Sequence, residues 1–543
     1  MESNILIVIP ARGGSKGIPR KNLRSLNGKP LISYAINIAL KSSYNPDIYV
    51  SSDDEEILSI AEKYGVNIHS RESKNAQDST TLDPVIYDVF QYACKVNNKK
   101  YYTIVTLQPT SPLLSTHSLD MAIGKILEDK DTDTIISATE DTHLTWRQEN
   151  GSFYPNYTKR VNRQYLQPTF KETGAFLITK ESVLTEESRI GSRVDLYLLS
   201  GAESIDIDTY DDWNLCEYYL KRKKVLFVVS GYQEIGLGHV YNTLLLANDI
   251  LNHEVCFLVD RKSDLAYRKI CERNYKVYQQ EYENIASDIK KLGPDVVVND
   301  TLDSSPAYIM DIKKTGAKVV TFEDLGGGAQ FADLVINAMY PESEILPNHY
   351  FGHRYFCLRD EFLLTPEKRI RDTVKRVLLA FGGVDPNNYT YKVLQSIYEY
   401  ATSNEIEISI VAGFGYNKFE TLEGFENIKI VSNSSNISDY MYKADIIFTS
   451  AGRTTYEASA IGTPTIVMAQ NNREMTHFFA SREFGFMNLG LGFNLSNQSI
   501  LSAFKKVVES VNRRKHMSNM MKAVDLKQGR RNVNHLISQV LED

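Results

Sequence analysis

Pro10-Ala-Arg-Gly-Gly-Ser-Lys-Gly-Ile-Pro-Arg-Lys-Asn-Leu-Arg24 decides how the first half of the chain is read. Five cationic side chains (Arg12, Lys16, Arg20, Lys21, Arg24) share this stretch with three glycines and no acid. Directly upstream, residues 4–9 hold an apolar run (Ile5, Leu6, Ile7, Val8, Ile9) with the length and composition of a buried parallel strand. A strand that opens into a glycine-rich, cationic loop reads as a phosphate cradle. Glycines let backbone N–H groups approach an anion, and Lys and Arg neutralise it. The loop is not a Walker loop, because no Gly-Lys-Ser/Thr follows at the right spacing, and it is not Gly-x-Gly-x-x-Gly.

Outward from the loop, strands and helices alternate. Helical periodicity over residues 31–40 precedes a short strand, 47–52, ending in Ser-Ser-Asp-Asp, where Ser52 or Asp53 is expected to cap a helix over 55–64. A helix over 84–96, a strand over 102–107 and the turn Gln108-Pro-Thr-Ser-Pro112 follow. This alternation predicts an α/β fold, with a mostly parallel sheet covered by helices on both faces. Ligands gather at the carboxyl ends of such strands, so the basic loop, the 51–54 turn and the 108–112 turn are expected to converge on one pocket.

The totals bound the function classes. A chain of 543 residues exceeds one hydrophobic core, and 42% hydrophobic with 24% charged residues is an ordinary globular composition. A net charge of −7 argues against general nucleic-acid binding. The five cysteines lie far apart with no Cys-x-x-Cys pair, which suggests neither a zinc site nor a disulfide framework. The chain opens on a strand rather than a signal peptide and has no apolar run of membrane-spanning length, so a cytoplasmic location is expected.

Ser204-Ile-Asp-Ile-Asp-Thr-Tyr-Asp-Asp212 is the second strong feature. On a strand, Asp206 and Asp208 would share one face and Ile205 and Ile207 the other. Two carboxylates near a triphosphate suit Mg²⁺, which takes carboxylate and phosphate oxygens. Asp211 and Asp212 read instead as helix-capping acids.

Ile9-Pro-Ala-Arg-Gly-Gly-Ser-Lys-Gly-Ile-Pro-Arg-Lys-Asn22, Leu107-Gln-Pro-Thr-Ser-Pro-Leu113 and Ile205-Asp-Ile-Asp208 together resemble the CMP-sialic acid synthetases, or acylneuraminate cytidylyltransferases, over residues 1–222. The resemblance implies a domain that joins a nine-carbon 2-keto sugar acid to CMP from CTP and releases pyrophosphate. It also implies that Arg12, Lys16 and Lys21 bind the triphosphate, with Lys21 and Asp208 catalytic. Asn22, Arg71, Gln108, Arg163 and Gln164 would contact nucleotide or sugar, and Asp206 and Asp208 would hold Mg²⁺. In this picture the cations and the metal clamp the triphosphate from opposite sides. The chain departs from the family pattern at Leu114, at Tyr165 and at Thr173, and these departures are expected to cluster around the sugar acid. A homodimer through this domain is the expected assembly.

After Lys221-Arg-Lys-Lys224 a new strand begins without a Pro/Gly/Ser linker, so the two halves are expected to pack together. The strand opens into Ile235-Gly-Leu-Gly-His-Val240 and a helix from about residue 241, a nucleotide-type turn with His239 at the helix start. There the positive end of the helix dipole disfavours the protonated ring and keeps it available as a base. Strands are expected near 254–259, 295–299, 318–322 and 334–337, then from 376 onward near 408–413, 428–431, 446–450 and 465–469. Two such sets predict a twin Rossmann arrangement, 223–370 and 371–543, with a cleft between them and the terminal helices packed on it. Small residues in Thr449-Ser-Ala-Gly-Arg-Thr-Thr-Tyr-Glu457 suit phosphate on helix N–H groups.

Gly236-Leu-Gly-His239, Phe381-Gly-Gly-Val-Asp-Pro386, Ser450-Ala-Gly-Arg-Thr-Thr-Tyr-Glu457 and Gly462-Thr-Pro-Thr465 resemble the UDP-sugar hydrolase of pseudaminic acid biosynthesis, related in fold to MurG-like glycosyltransferases. That family acts on UDP-2,4-diacetamido-2,4,6-trideoxy-altropyranose. The resemblance implies that His239 is the acid/base and that Asn471 contacts substrate or water. Gly236, Gly238, Gly452, Thr454 and Glu457 would hold the UDP-sugar. The combined expectation is a bifunctional enzyme; the alternatives for the second half are a glycosyltransferase or a non-catalytic sugar-nucleotide module.

Overall fold

The computed structural model describes residues 4–14, 17–72, 80–341, 346–366, 368–432, 434 and 436–542. The chain divides into two compact units, Met1–Arg222 and Lys223–Asp543.

The first unit contains strands β1 (Ile5–Pro10), β2 (Ser25–Leu26), β3 (Lys29–Pro30), β4 (Asp47–Ser52), β5 (Asn67–Ser70), β6 (Thr103–Leu107), β7 (Thr134–Glu140), β8 (Trp146–Glu149), β9 (Ser152–Pro155), β10 (Phe170–Lys180) and β11 (Val194–Leu198). Seven of them form one sheet in the order β11-β7-β10-β6-β1-β4-β5. All neighbours are parallel except β10, which runs antiparallel to both β6 and β7. All six residues of β1 are buried, as an apolar run at the centre of a two-sided sheet requires. Because β4 and β6 flank β1, the loops after these three strands share one end of the sheet.

Two sequence expectations change here. The helix Glu55–Lys63 is capped by Asp54, whose Oδ1 accepts from Glu56 N at 2.8 Å and Ile57 N at 3.4 Å, rather than by Ser52 or Asp53. Residues 205–208 are not a strand: they run as unladdered chain from a 3-10 turn, Gly201–Ser204, to the helix Tyr210–Lys221. Asp212 closes that helix in a capping box with Thr209.

The second unit holds two all-parallel sheets. The first comprises β12 (Lys224–Val229), β13 (Glu254–Val259), β14 (Val277–Gln279), β15 (Val296–Asp300), β16 (Lys318–Phe322), β17 (Leu334–Asn337) and β18 (His349–Phe351), in the order β14-β13-β12-β15-β16-β17-β18. The second comprises β19 (Arg376–Leu379), β20 (Glu407–Ala412), β21 (Ile428–Ser432), β22 (Ile446–Thr449), β23 (Thr465–Ala469) and β24 (Met487–Leu491), in the order β21-β20-β19-β22-β23-β24. Each order reverses direction beside its first strand, the place where open α/β sheets bind ligands. The last helix, Gly529–Glu542, crosses back: Val533, Leu536, Ile537, Val540 and Leu541 join the core of the first of these sheets. Arg530 fastens it to Asp249 and Asp360. No helix among the described residues is long and apolar enough to cross a membrane.

Candidate functional sites

In the first unit the basic loop reaches the carboxylate pair directly. Lys21 Nζ donates to the Ile207 carbonyl and lies 3.4 Å from Asp208 Oδ1. A Cβ on Gly17 would come within 2.6 Å of the Asp208 carbonyl oxygen, so this approach needs glycine. Lys21 and the carboxylates are therefore neighbours on one side, a closer arrangement than a clamp from opposite sides. On the other flank of the loop, Gly13 N donates to Asp53 Oδ1 at 2.9 Å and Asn22 Nδ2 holds the Arg12 carbonyl at 3.0 Å. Arg71 is buried and donates to the Ser51 carbonyl at 2.9 Å. Burial lowers its pKa, Asp53 opposes that, and the nearby charge of Arg12 lowers it further, so Arg12, Arg71 and Asp53 share one neighbourhood.

The other cations of the loop point elsewhere. Arg20 pairs with Glu56 at 2.9 Å, and Arg24 donates to Tyr210 Oη at 2.9 Å. Lys16 lies outside the described residues.

Asp206 faces the gap left by a bulge in β10, between Glu172 and Leu177. Gly174, at φ 71, sits in that bulge, and a Cβ there would lie 2.9 Å from Asp206 Oδ2 and 3.5 Å from Gln108 Nε2. Burial pushes the Asp206 carboxyl up and Asp208 adds to the rise, while Thr110 and Lys21 oppose it. The Thr110 hydroxyl is close enough to ease that charge but makes no hydrogen bond of ordinary geometry. Asp206 Oδ1 and Thr110 Oγ1 are both buried without a protein partner. A buried carboxylate oxygen left open, beside a second carboxylate, is a donor set that fits Mg²⁺. No group of three or more His, Cys, Asp or Glu side chains among the described residues is placed to hold a metal ion by itself, so phosphate oxygens and water would complete the coordination.

The three departing positions have different surroundings. Leu114 is 4% exposed within the main core of this unit, and the Thr173 hydroxyl on β10 donates to Ser137 Oγ on the neighbouring β7 at 2.9 Å. Arg163, Gln164 and Tyr165 form an exposed 3-10 turn that the structure does not bring to the carboxylates by any hydrogen bond or ion pair shown.

In the second unit a cavity of about 310 Å³ lies between the carboxyl ends of the two sheets. Gly236, Gly238, His239, Gly452, Thr454, Glu457 and Asn471 all line it. The helix Gly238–Asp249 starts earlier than the periodicity suggests and places His239 in its first turn. His239 Nδ1 lies 2.5 Å from Asp300 Oδ1, and Asn242 Nδ2 donates to Asp300 Oδ2 at 2.9 Å. The Asp300 side chain is 1% exposed. A carboxylate on Nδ1 fixes that nitrogen as the N–H and leaves Nε2 as the acceptor available to the cavity. Asn242 thus holds the second oxygen of Asp300. Glu457 accepts from Arg359 Nε and Nη2 at 3.0 and 2.9 Å, and Asn471 Oδ1 accepts from Glu474 N at 3.0 Å. Asp300 follows from no local motif; its only sequence signal is its position at the end of an apolar strand.

Residues 6–199 match the family model described as Cytidylyltransferase. The pseudaminic acid cytidylyltransferase of Campylobacter jejuni is 32% identical over 232 residues, covering 41% of this chain and 97% of that protein. The N-acylneuraminate cytidylyltransferase A of Danio rerio is 30% identical over 226 residues, covering 40% of this chain and 51% of that protein. An uncharacterized protein of Methanocaldococcus jannaschii is 31% identical over 273 residues, covering 46% of this chain and 56% of that protein. The chain thus spans about half the length of these last two relatives. Among solved structures, Acinetobacter baumannii MurG aligns with 58% of this chain and 99% of its own, at 14% identity and a TM-score of 0.42. A CMP:2-keto-3-deoxy-manno-octonic acid synthetase complexed with CTP aligns with 40% of this chain and 98% of its own, at 16% identity and a TM-score of 0.31.

Proposed function

Since the chain belongs to the cytidylyltransferase family, we propose that its first unit transfers CMP from CTP to a nonulosonic acid of the sialic, legionaminic or pseudaminic type and releases pyrophosphate. The observation that carries this reading is the convergence of the basic loop on Asp206 and Asp208, with Asp206 Oδ1 buried and unpartnered. In-line attack of a sugar hydroxyl on the α-phosphate asks the protein to position reactants and neutralise charge, with no dedicated nucleophile. Lys21, Arg12 and Arg71 supply positive charge, Asn22 holds the loop through the Arg12 carbonyl, and Gln108, beside Gly174, would contact nucleotide or sugar. Magnesium, held by Asp206 and Asp208, would supply further neutralisation of the triphosphate. Asp208→Ala is expected to abolish nearly all CTP-dependent pyrophosphate release; full activity would remove the metal assignment.

For the second unit we propose hydrolysis of a UDP-sugar of the same pathway. The His239–Asp300 pair supports it, because an oriented imidazole with a free Nε2 can take a proton from water as it attacks the anomeric carbon. The same pair would equally activate an acceptor hydroxyl, so glycosyl transfer is the competing reading. UDP release from a UDP-sugar in water alone supports hydrolysis, and release only with an acceptor supports transfer.

We also propose a homodimer through the first unit. The hairpin β8–β9 is exposed along its whole length and presents Trp146, Phe153 and Tyr154 to solvent. Loss of the dimer on replacing these three by serine, read by light scattering, would support it; an unchanged mass would not.

A further inference from the structure

Glu323 is a buried acid that the His239–Asp300 pair does not explain. It directly follows β16, the strand beside the one that ends in Asp300, and it lines the same cavity as His239. Only 4% of it is exposed. None of the three guanidiniums lining the cavity pairs with its carboxyl: Arg359 pairs with Glu457 and Glu361, Arg453 donates to the Cys357 carbonyl, and Arg473 pairs with Asp303 and reaches only the backbone of Glu323. The Glu323 carboxyl instead accepts one long backbone hydrogen bond, from Met339 N at 3.3 Å.

Its backbone is unusual as well. Glu323 has φ 52, in the left-handed region that side chains other than Gly, Asn and Asp seldom adopt. Two hydrogen bonds hold it there, from its own N to the Ile336 carbonyl at 3.0 Å and from Arg473 Nη2 to its carbonyl at 2.7 Å. Strain maintained by its surroundings at a cavity wall points toward function, and a buried acid without an ion-pair contact is not a packing solution. Two other acids of this cavity are different: Glu474 Oε2 accepts from Ala451 N at 3.2 Å and Gln470 N at 2.7 Å, and the buried Asp385 accepts from Tyr389 N at 2.9 Å, Thr390 N at 2.8 Å and Gln470 Nε2 at 2.8 Å, so each has a structural task in holding a turn.

We propose that Glu323 is the second acid/base residue of this cavity, giving its proton to the departing diphosphate oxygen while His239 takes the proton of the attacking water. The assignment rests on reading the cavity as one that cleaves a sugar nucleotide. The water oxygen bonds to the anomeric carbon, and its proton passes to His239 Nε2. The bond from that carbon to the diphosphate oxygen breaks, its electron pair leaves with the oxygen, and the oxygen takes the Glu323 proton. The imidazolium then returns its proton to the Glu323 carboxylate, so the net change is water plus glycosyl diphosphate to free sugar plus UDP. Burial pushes the Glu323 carboxyl up to about 7, so it is still partly protonated at neutral pH. The groups facing it are Asp300 on β15, His239 at its helix start, Arg453 and Tyr456 around the 454–461 helix, and Tyr340 and Cys357. Asp300 raises its pKa, and Arg453 and His239 lower it.

The test uses the full chain with UDP-2,4-diacetamido-2,4,6-trideoxy-altropyranose, following UDP release against pH, with UDP affinity measured by calorimetry. Glu323→Gln is expected to bind UDP as the parent does, to lose roughly 10²- to 10⁴-fold in kcat, and to lose the limb of the pH profile near 7. An active parent with an E323Q profile and kcat within about threefold of it overturns the assignment alone. A parent that releases no UDP overturns the reading of the cavity and the assignment with it. If E323Q does not bind UDP, Glu323→Asp decides: a displaced pH limb supports the role, and an unchanged one overturns it.

Discussion

Asp300→Asn isolates what the buried carboxylate does for His239. Asp300 supplies two acceptors, one to His239 Nδ1 at 2.5 Å and one to Asn242 Nδ2 at 2.9 Å. An amide fills the same space but has only one acceptor. If its oxygen stays on Asn242, its NH₂ faces Nδ1 and drives the ring proton to Nε2, the nitrogen that must accept from water. If it turns over, two NH₂ groups oppose each other. Either way a charge-assisted hydrogen bond is lost in a site where the side chain is 1% exposed. Such bonds are worth about 1.5–3 kcal/mol, so the second unit should melt a few degrees lower. Loss of the working tautomer should lower kcat for UDP release on the order of 10²–10⁴-fold, with KM little changed. Because the two side chains act as a unit, the double variant with His239→Ala should be no worse than His239→Ala alone. Steady-state UDP release and calorimetric unfolding read both effects. D300N within threefold of the parent, with the same pH profile, would refute the orienting role.

Three further outcomes follow from the same geometry. The Asp206 carboxyl is raised by burial, so the unfolded chain ionises first as pH rises, and this group costs stability above the ordinary carboxylate range. Asp206→Asn should therefore raise the melting temperature of the metal-free protein at pH 7 while abolishing pyrophosphate release, and the stability gain should vanish near pH 3. Gly174→Ala places a Cβ 2.9 Å from Asp206 Oδ2 at φ 71, so it should cost about 1–2 kcal/mol and reduce cytidylyl transfer by at least about tenfold. Arg530→Ala frees the last helix from Asp249 and Asp360 and leaves the partly buried Asp249 short of a partner, which should cost about 2 kcal/mol in unfolding of the second unit without altering pyrophosphate release.

The parts of the sites that lie within one short segment were legible in the sequence. The basic loop, the paired aspartates and the His239 turn each bring their own strand, glycines and charges. The parts assembled across strands were not. Asp300 and Glu323 are single acids at the ends of apolar strands, and only the order β12-β15-β16 places them beside His239. Periodicity cannot show that β10 enters the first sheet antiparallel, nor that its pairing with β7 is interrupted by a bulge around Gly174. The same limit explains Leu114 and Thr173, whose neighbours in sequence belong to the site but whose own side chains turn into the core and toward Ser137. The exposed β8–β9 hairpin has no periodic signal either, because none of its residues packs on a core.

The central claim is that the basic loop and the aspartate pair serve one reaction, activation of a sugar acid by CTP. Pyrophosphate release measured with CTP, magnesium and, in turn, sialic, legionaminic and pseudaminic acid tests it most directly. Release that requires one of these acids and disappears in Asp206→Ala and Asp208→Ala is the predicted result. Release that is independent of any acid, or absent with all three, would contradict it.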